Sequence, residues 1–476
     1  MTLIRKIAYN TVISAGARVV GVALSLVGIG LIARYLGQEG FGEYSLILAF
    51  LYTFNILADL GLYSLMVREI SRPGADEKKI ASNIFTIRIV ALLIFLGLAI
   101  IAIWFFPYTS QVKMGVVIAS IAFFFLSASQ VLMGIFQKYL RVDKPSLAEL
   151  IGRLIQLGLV ILFIFLDLGL FAIFGALIVS SFLIFVLNFI FARKYIPLTL
   201  AFDFVFWKKL IKTALPIAVS IVLTLIYFKF DSIFLSLGFI NRSSVHPVVD
   251  VGIYNIAYKI LEGLIFFPAM FVGLIMPLLS KFAFSKPEKF KKIFQKTLDV
   301  LIIFIVPLII GLLILSLPIV VLIGGKDFTA SAQVLQVLAF AIGLIFLGSL
   351  FGNSIIALNK QKTAAWIYFG GMIFNVVTNL IFIPKYSYLG AAMTTVFTEL
   401  LVIILMTWLI YKSIHYFPSF KILKPLLAGV IMGMFVYLFQ SWNIFLLICL
   451  AILVYGIILY LIKGIKKEEI LMLVRG

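Results

Sequence analysis

Cysteine, histidine and acidic residues are all scarce in this chain, and each scarcity closes off a class of function. The single cysteine, Cys449, lies inside an apolar stretch, so no disulfide framework is available. The two histidines, His246 and His415, fall in separate loops and neither has a neighbour with which to build a metal or acid–base centre. Asp and Glu number 19 against 39 Lys and Arg, a formal net charge of +20. Charged residues of either sign make up only 12% of the chain, hydrophobic ones 64%, and the mean hydropathy is +1.21. No soluble domain has that composition. Long polar connections are missing too. The longest lie near 194–209, 239–250 and 280–297, too short for an appended catalytic domain. An enzyme is therefore not expected, and a membrane glycosyltransferase or polymerase is the weakest of the readings considered.

Apolar sequence is abundant. A spanning helix needs roughly 20 mainly apolar residues, and about fourteen stretches meet that requirement. They lie near 8–33, 41–66, 81–106, 114–137, 147–166, 169–192, 210–238, 251–279, 298–323, 331–357, 363–384, 389–411, 424–440 and 443–463. None alternates as a strand of a membrane barrel would. The expected fold class is all-α, a polytopic bundle of membrane helices. The first stretch is too long for a signal-peptide core and lacks a small-residue cleavage site, so it is expected to remain as the first span.

The excess of cations is unevenly placed. With the N-terminus in the cytoplasm, the outer loops hold only Arg34, Lys113, Arg242, Lys326 and Lys385. The inner side collects Arg5, Lys6, Arg68, Arg72, Lys78, Lys79 and the later runs, the densest from Lys281 to Lys296. The positive-inside rule accounts for this without any nucleic-acid partner. It predicts a multi-pass protein of the cell (cytoplasmic) membrane with both termini cytoplasmic. The dense lysine run is expected to be solvated and attracted to anionic headgroups of the lipid bilayer.

Charges also lie within the spans: the cations Arg18, Arg88, Arg153, Lys229 and Lys259, and the acids Asp59, Asp231, Glu262 and Glu399. A charge at the bilayer centre costs on the order of 3 kcal/mol even on lenient scales, so such residues usually face a bundle interior or a watery route. Because the cations predominate, an anion is the expected cargo. Arg18 lies deepest, roughly 15 Å from its helix end at 1.5 Å per residue. Arginine binds phosphate bidentately and stays charged at any relevant pH. Lys259 and Glu262, three apart, share a helix face and can neutralise one another. Asp59 is expected as a counter-ion for Arg18, with a gating acid as the alternative.

A weak internal repeat is present. Gly42-Glu43-Tyr44 opens the second span, and Gly252-Ile253-Tyr254 opens the eighth, 210 residues later. Both halves begin from the cytoplasm, a parallel repeat of the kind that builds two-lobed transporters. The expected domains are an N-terminal lobe (1–200), a C-terminal lobe (201–412), and a pair of further helices with a tail (413–476). Pro268 and Pro277 in the eighth span and Pro307 and Pro318 in the ninth are expected to kink their helices.

Three motifs follow one another near the start: Ala33-Arg34-Tyr35-Leu36-Gly37, Gly40-Phe41-Gly42-Glu43-Tyr44 and Ala58-Asp59-Leu60-Gly61. The second half has Leu215-Pro216, Phe230-Asp231, Val251-Gly252-Ile253-Tyr254 and Met276-Pro277-Leu278-Leu279-Ser280. Together these resemble a Wzx-type polysaccharide flippase of the multidrug/oligosaccharidyl-lipid/polysaccharide exporter superfamily. The resemblance implies two six-helix lobes in a V, plus two C-terminal helices, and alternating access. It implies an oligosaccharide on a polyprenyl (pyro)phosphate, moved from the cytoplasmic to the outer leaflet. It also implies a monomer working beside glycosyltransferases or a polymerase of the same pathway. In that frame Arg18, Asp59, Arg88, Arg153, Lys229, Lys259 and Glu262 are the candidate substrate-binding residues. Arg18-Val19-Val20-Gly21 is similar to the Arg-Val-Leu-Gly of lipid II flippases, but Leu24 stands where those have a second arginine, which argues against lipid II.

Sodium-binding lipid II flippases use an acid in span seven, an Asn-x-x-x-acid pair in span eleven, and a carbonyl plus threonine in span twelve. This chain matches by type at Asp231, Asn375 and Thr395, with Ala391 one turn before Thr395 and Asn379 in place of the second acid. Oxygen ligands of this kind suit a hard cation, so a sodium site at Asp231, Asn375, Asn379 and Thr395 is one reading, weakened by the missing second acid. Hydrogen-bonded packing between helices accounts for the same amides and threonine and stands ahead of it, and a proton on Glu399 is the alternative for coupling. No other cofactor is expected. The rival function is drug or cation antiport within the same superfamily, which would favour a cavity dominated by acids.

Overall fold

The computed structural model describes the backbone of residues 3–59 and 61–464, and their side chains except for 3–15, 17, 18 and 215–229. Among the described residues there are helices and no strands. They are α1 (Leu3–Asp59), α2 (Leu62–Ile70), α3 (Glu77–Ala102), α4 (Ser110–Lys138), α5 (Asp143–Phe165), α6 (Gly169–Arg193) and α7 (Phe204–Ser236). Then follow α8 (Pro247–Leu264), α9 (Phe266–Ser285), α10 (Pro287–Gly324), α11 (Ser331–Ala357), α12 (Gln361–Ile414), α13 (Leu423–Leu438) and α14 (Ile444–Leu461). A helix keeps every backbone hydrogen bond within its own segment, which hydrocarbon surroundings demand. Where helices begin near water, side chains cap them. Asp76, Thr109, Asp203 and Asn443 accept from backbone N–H groups of the first turns of α3, α4, α7 and α14.

Ten stretches are long and apolar enough to cross a membrane among the described residues, against the fourteen expected. Part of the difference lies in helices that run on. The 57 residues of α1 and the 54 of α12 exceed the roughly 20 that one crossing needs. Each is interrupted at one residue, Gly37 (φ 65°, ψ −173°) and Ser387 (φ 47°, ψ −126°). Gly37 falls in the predicted gap between the first two spans. The remainder lies in α7, whose central side chains are not described, and in α13, which has only 16 residues.

Two breaks lie inside predicted spans. The second span ends its regular helix at Asp59, and Gly61 (φ 66°) starts α2 from a left-handed conformation that glycine adopts without strain. The eighth span is divided at Ile265 into α8 and α9. That fits the expectation for Pro268, which has no N–H to donate to Leu264 O, the last residue of α8, and so sits in the first turn of the new helix, whereas Pro277, Pro307 and Pro318 lie inside helices.

The chain divides into two compact units. The first comprises Met1–Asn255 with Ile383–Ser387, the second Ile256–Phe382 with Tyr388–Gly476. In the first, Leu65 and Met66 of α2 pack with Ile84 of α3 and Leu132 and Ile135 of α4, closed off by Ala192 and Leu210. Asn83 of α3, nearly inaccessible, accepts from Trp207 Nε1 at 2.9 Å and from Asp203 N at 3.3 Å, which fastens the α6–α7 connection. In the second, α13 and α14 share a core with α10 through Leu315, Ala428, Met432, Leu447 and Tyr455. Gly429 and Gly433 let α13 approach closely: a Cβ at either would come within 2.8 Å of Ile310.

Candidate functional site

Two of the predicted intramembrane cations, Arg18 and Lys229, have side chains outside the described residues. The others can be placed. In the first unit the turn at Gly61 leaves Asp59 at the very end of α1, and its carboxylate meets Arg88 on α3, Nη1 to Oδ1 at 2.9 Å. This is an ion pair rather than an aligned hydrogen bond. Arg88 Nε donates to Ser127 O at 3.2 Å and Nη2 to Gln130 Oε1 at 3.4 Å, both on α4. Ser127 in turn donates to Asn55. The Arg88 side chain is 1% exposed and that of Asp59 24%, so the acid is the accessible member. A guanidinium at this depth needs its charge matched, which Asp59 does, while Ser127 and Gln130 accept from Nε and Nη2. Asp59, expected beside Arg18, is thus the counter-ion of Arg88.

Arg153 Nη2 pairs with Glu149 Oε1 at 2.7 Å, one turn earlier on α5, and Nη1 donates to Ser25 on α1. Its stem runs beside Gly21, where an added Cβ would stand 3.3 Å from Arg153 Cδ. The arginine therefore reaches across to α1 and stays about one-third exposed. In the second unit Lys259 Nζ lies 2.6 Å from Glu262 Oε2, the local pairing that their spacing allows.

Asp231, 2% exposed, accepts from Tyr254 Oη at 2.9 Å, and Asn255 donates to the neighbouring Ser232 at 3.0 Å. Both contacts tie α7 to α8 within the first unit. In the second unit Asn379 Nδ2 donates to Asn375 Oδ1 at 3.0 Å, and Asn375 Nδ2 to Thr398 Oγ1 at 3.3 Å. Thr395 Oγ1 donates to Ala391 O at 3.1 Å. Asn375, Asn379, Ala391, Thr395 and Glu399 are all buried. The structure brings the amide and hydroxyl groups of α12 together. Thr398, which sequence reasoning did not single out, joins them because it is 23 residues from Asn375 across the break at Ser387.

A second cluster gathers the loops that the charge pattern assigns to the outer side. Here the two repeat motifs meet. A Cβ at Gly42 would lie 2.0 Å from Val248 O, and one at Gly252 would lie 2.3 Å from Gln38 O and 3.1 Å from Gly42 N. The α1 and α8 backbones touch where any side chain would intervene. Around this crossing Thr109 donates to Glu43 at 3.0 Å, and Tyr108 shares a 2.7 Å hydrogen bond with Ser236. Burial pushes the Tyr108 hydroxyl up to about 12, so it stays protonated throughout the physiological range. Asn241, fully buried, donates to Leu235 O, Asp250 Oδ2 and Ser387 Oγ at 3.0–3.1 Å, and Ser387 donates to Asp250.

Ser387 occupies a backbone region that non-glycine residues avoid, at a cost of order 1–3 kcal/mol, and the Asp250–Asn241 pair holds it there. Asp250→Ala should destabilise the purified protein by about 1–3 kcal/mol, because Asn241 and Ser387 are left buried with unmet groups. In that background Ser387→Gly should recover part of the loss by removing the strain, whereas in the wild-type chain it should not stabilise. Thermal unfolding followed by intrinsic fluorescence tests this. An equal effect of Ser387→Gly in both backgrounds would break the link between strain and latch.

The profile of the family described as polysaccharide biosynthesis protein matches residues 7–283, and that of lipid II flippase MurJ matches residues 254–469. The probable low-salt glycan biosynthesis flippase Agl15 of Haloferax volcanii is 24% identical, covering 96% of this chain and 97% of that protein. Among solved structures, an inward closed conformation of the lipid II flippase MurJ superposes with a TM-score of 0.76 at 18% identity, over 94% of this chain and 98% of that one. An inward-facing multidrug transporter of the MATE family, in the MOP superfamily, gives 0.66 at 14% identity, over 85% and 98%.

Proposed function

Because the chain belongs to the polysaccharide biosynthesis protein family, with the fold of the multidrug/oligosaccharidyl-lipid/polysaccharide exporters, we propose that it is a flippase for a polyprenyl-(pyro)phosphate-linked oligosaccharide. It moves this substrate from the cytoplasmic to the outer leaflet by ion-coupled alternating access and performs no covalent chemistry. It is a multi-pass protein of the cytoplasmic membrane with both termini inside. The similarity to a probable glycan-biosynthesis flippase along nearly the whole chain is the observation that carries this reading.

The charges support it. A pyrophosphate crossing hydrocarbon needs cations within the bundle. Arg153, one-third exposed and reaching to α1, would serve that role by exchanging Glu149 for the phosphate, and Arg18 is a further cation that the sequence reading assigns to it. The drug and cation antiporters of the superfamily are a poorer fit, because the sequence relative matched along nearly the whole chain is a probable flippase, and two of the four intramembrane acids, Asp59 and Glu262, are each matched by a cation. Coupling is assigned to Asp231, Asn375, Asn379 and Thr395 with sodium, and to Glu399 if the ion is a proton.

In proteoliposomes, the purified protein should expose a fluorescent polyprenyl-pyrophosphoryl oligosaccharide to an impermeant quencher faster under an ion gradient than without one. Asp231→Asn should retain basal movement and lose the acceleration. Replacing sodium by choline at fixed pH should have the same effect on the wild type. An unchanged rate in choline, with loss on collapsing the proton gradient, assigns coupling to Glu399. Absence of substrate movement in a properly reconstituted protein that moves cationic dyes instead would overturn the flippase reading.

A further inference from the structure

One cavity stands apart from these polar clusters. It has a volume of about 510 Å³ and is lined by Ile403, Ile404, Thr407, Trp408, Tyr411, Phe417 and Phe420. That volume lies in the range of ligand-binding pockets. Five of the lining residues recur along α12 at intervals of three or four or as neighbours, so they form one helix face. The two phenylalanines come from the connection to α13. The floor is Ile403 and Thr407, both buried, and the walls are Ile404, Trp408, Tyr411 and Phe417, each at least half exposed. Thr407 Oγ1 donates to Ile403 O within the helix, so it offers no hydroxyl proton to an occupant. The groove is dry and open along one side.

Its far wall is held firmly. Tyr416 Oη donates to Gln295 Oε1 at 2.5 Å, Gln295 Nε2 donates to Ser419 O at 2.7 Å, and Lys421 pairs with Asp299 at 2.7 Å. The segment carrying Phe417 and Phe420 is thereby fastened to α10, and the groove exists before anything enters it. Its mouth carries positive charge. Lys412, in the last turn of α12, stands over the ring of Trp408 at 5.2 Å. Lys421 on the fastened loop has its charge matched by Asp299, which leaves Lys412 as the cation beside the lining. An apolar slot flanked by an interfacial Trp–Tyr pair and capped by this lysine complements a hydrocarbon chain with a negative head.

We propose that this groove is a binding site for an anionic phospholipid of the surrounding bilayer. One hydrocarbon chain lies between Trp408 and Phe417, and the phosphate sits against Lys412. The open side of the groove suits an abundant bilayer lipid that exchanges laterally, and the site lies wholly within the second unit. It depends only on the chain being a membrane protein, and not on the identity of the transported substrate.

The test uses the full-length protein in nanodiscs containing chain-brominated lipids. Quenching of Trp408 is isolated from the chain's five tryptophans by subtracting the Trp408→Phe variant. At equal mole fraction, brominated phosphatidylglycerol should be preferred over brominated phosphatidylcholine by about fivefold, the ratio that about 1 kcal/mol from one lysine at an anionic surface gives. Lys412→Gln should bring that ratio close to one without changing quenching by phosphatidylcholine, and Lys412→Arg should preserve it. Equal quenching by both lipids, or a preference that survives Lys412→Gln, would overturn the proposal. So would quenching by a brominated polyprenyl phosphate at a far lower mole fraction than phosphatidylglycerol, which would give the groove to the carrier lipid instead.

Discussion

Gly252→Ala should cut the transport rate by about tenfold or more at normal membrane insertion, the consequence of overpacking by about 1–3 kcal/mol at a site with no give. The added methyl would stand 2.3 Å from Gln38 O and 3.1 Å from Gly42 N, and both are backbone atoms. A side chain can rotate away from such a clash, but a helix backbone must move as a body. Gly42→Ala should behave alike, since its Cβ would meet Val248 O at 2.0 Å. The two substitutions act on one crossing, so the double variant should be less impaired than the product of the single effects. Control substitutions at Gly97 and Gly158, where nothing lies within 4 Å of an added Cβ, should leave the rate within about twofold. Substrate-exposure assays on matched amounts of reconstituted protein decide the matter. A wild-type rate and wild-type thermal stability for Gly252→Ala would show that the crossing is not needed.

Removing Arg88 should be the most damaging single change to stability. Arg88→Met leaves Asp59 and the acceptors of Ser127 and Gln130 without their cation. Breaking a buried pair from one side costs about 3–5 kcal/mol, and the 24% exposure of Asp59 places this case toward the lower end. Arg88→Lys should recover only part, because one ammonium cannot reach three acceptors that the guanidinium fork spans. Asp59→Asn should be milder than Arg88→Met, and Arg88→Met with Asp59→Leu should be more stable than Arg88→Met alone. Thermal inactivation half-lives in detergent, compared across the four variants, give the ordering. If Arg88→Met is as stable as the parent and loses only substrate movement, the arginine contacts substrate rather than positioning Asp59.

The fold was legible wherever the signal is local. Hydropathy locates most helices to within a few residues, and Gly37 falls in the expected gap. Lys259 and Glu262 pair as a three-residue spacing permits. Glu149, four residues before Arg153, carries the same kind of signal, and the structure shows that pair formed. Relations between helices were not legible. Asp59 and Arg88 are 29 residues apart on different helices, and no periodicity connects them. The same holds for Asn241, Asp250 and Ser387, joined across as many as 146 residues. The break at Gly61 lies within a continuous apolar run, where hydropathy is blind to backbone angle, whereas the break at Ile265 is signalled by Pro268 three residues later. The repeat is an intermediate case. Its two glycines are visible in the sequence, but only the structure shows that they touch one another.

The charge pairs bear on how the membrane voltage acts on this molecule. An elementary charge carried across 100 mV gains or loses about 2.3 kcal/mol, enough to bias a conformational equilibrium nearly fiftyfold. Arg88 with Asp59, Arg153 with Glu149, and Lys259 with Glu262 each travel as a dipole with no net charge. The resting potential therefore exerts little force on these parts of the scaffold when helices shift. On the proposed function, its work falls on the cargo, on any coupling ion, and on the span charges outside these pairs, Arg18, Lys229, Asp231 and Glu399.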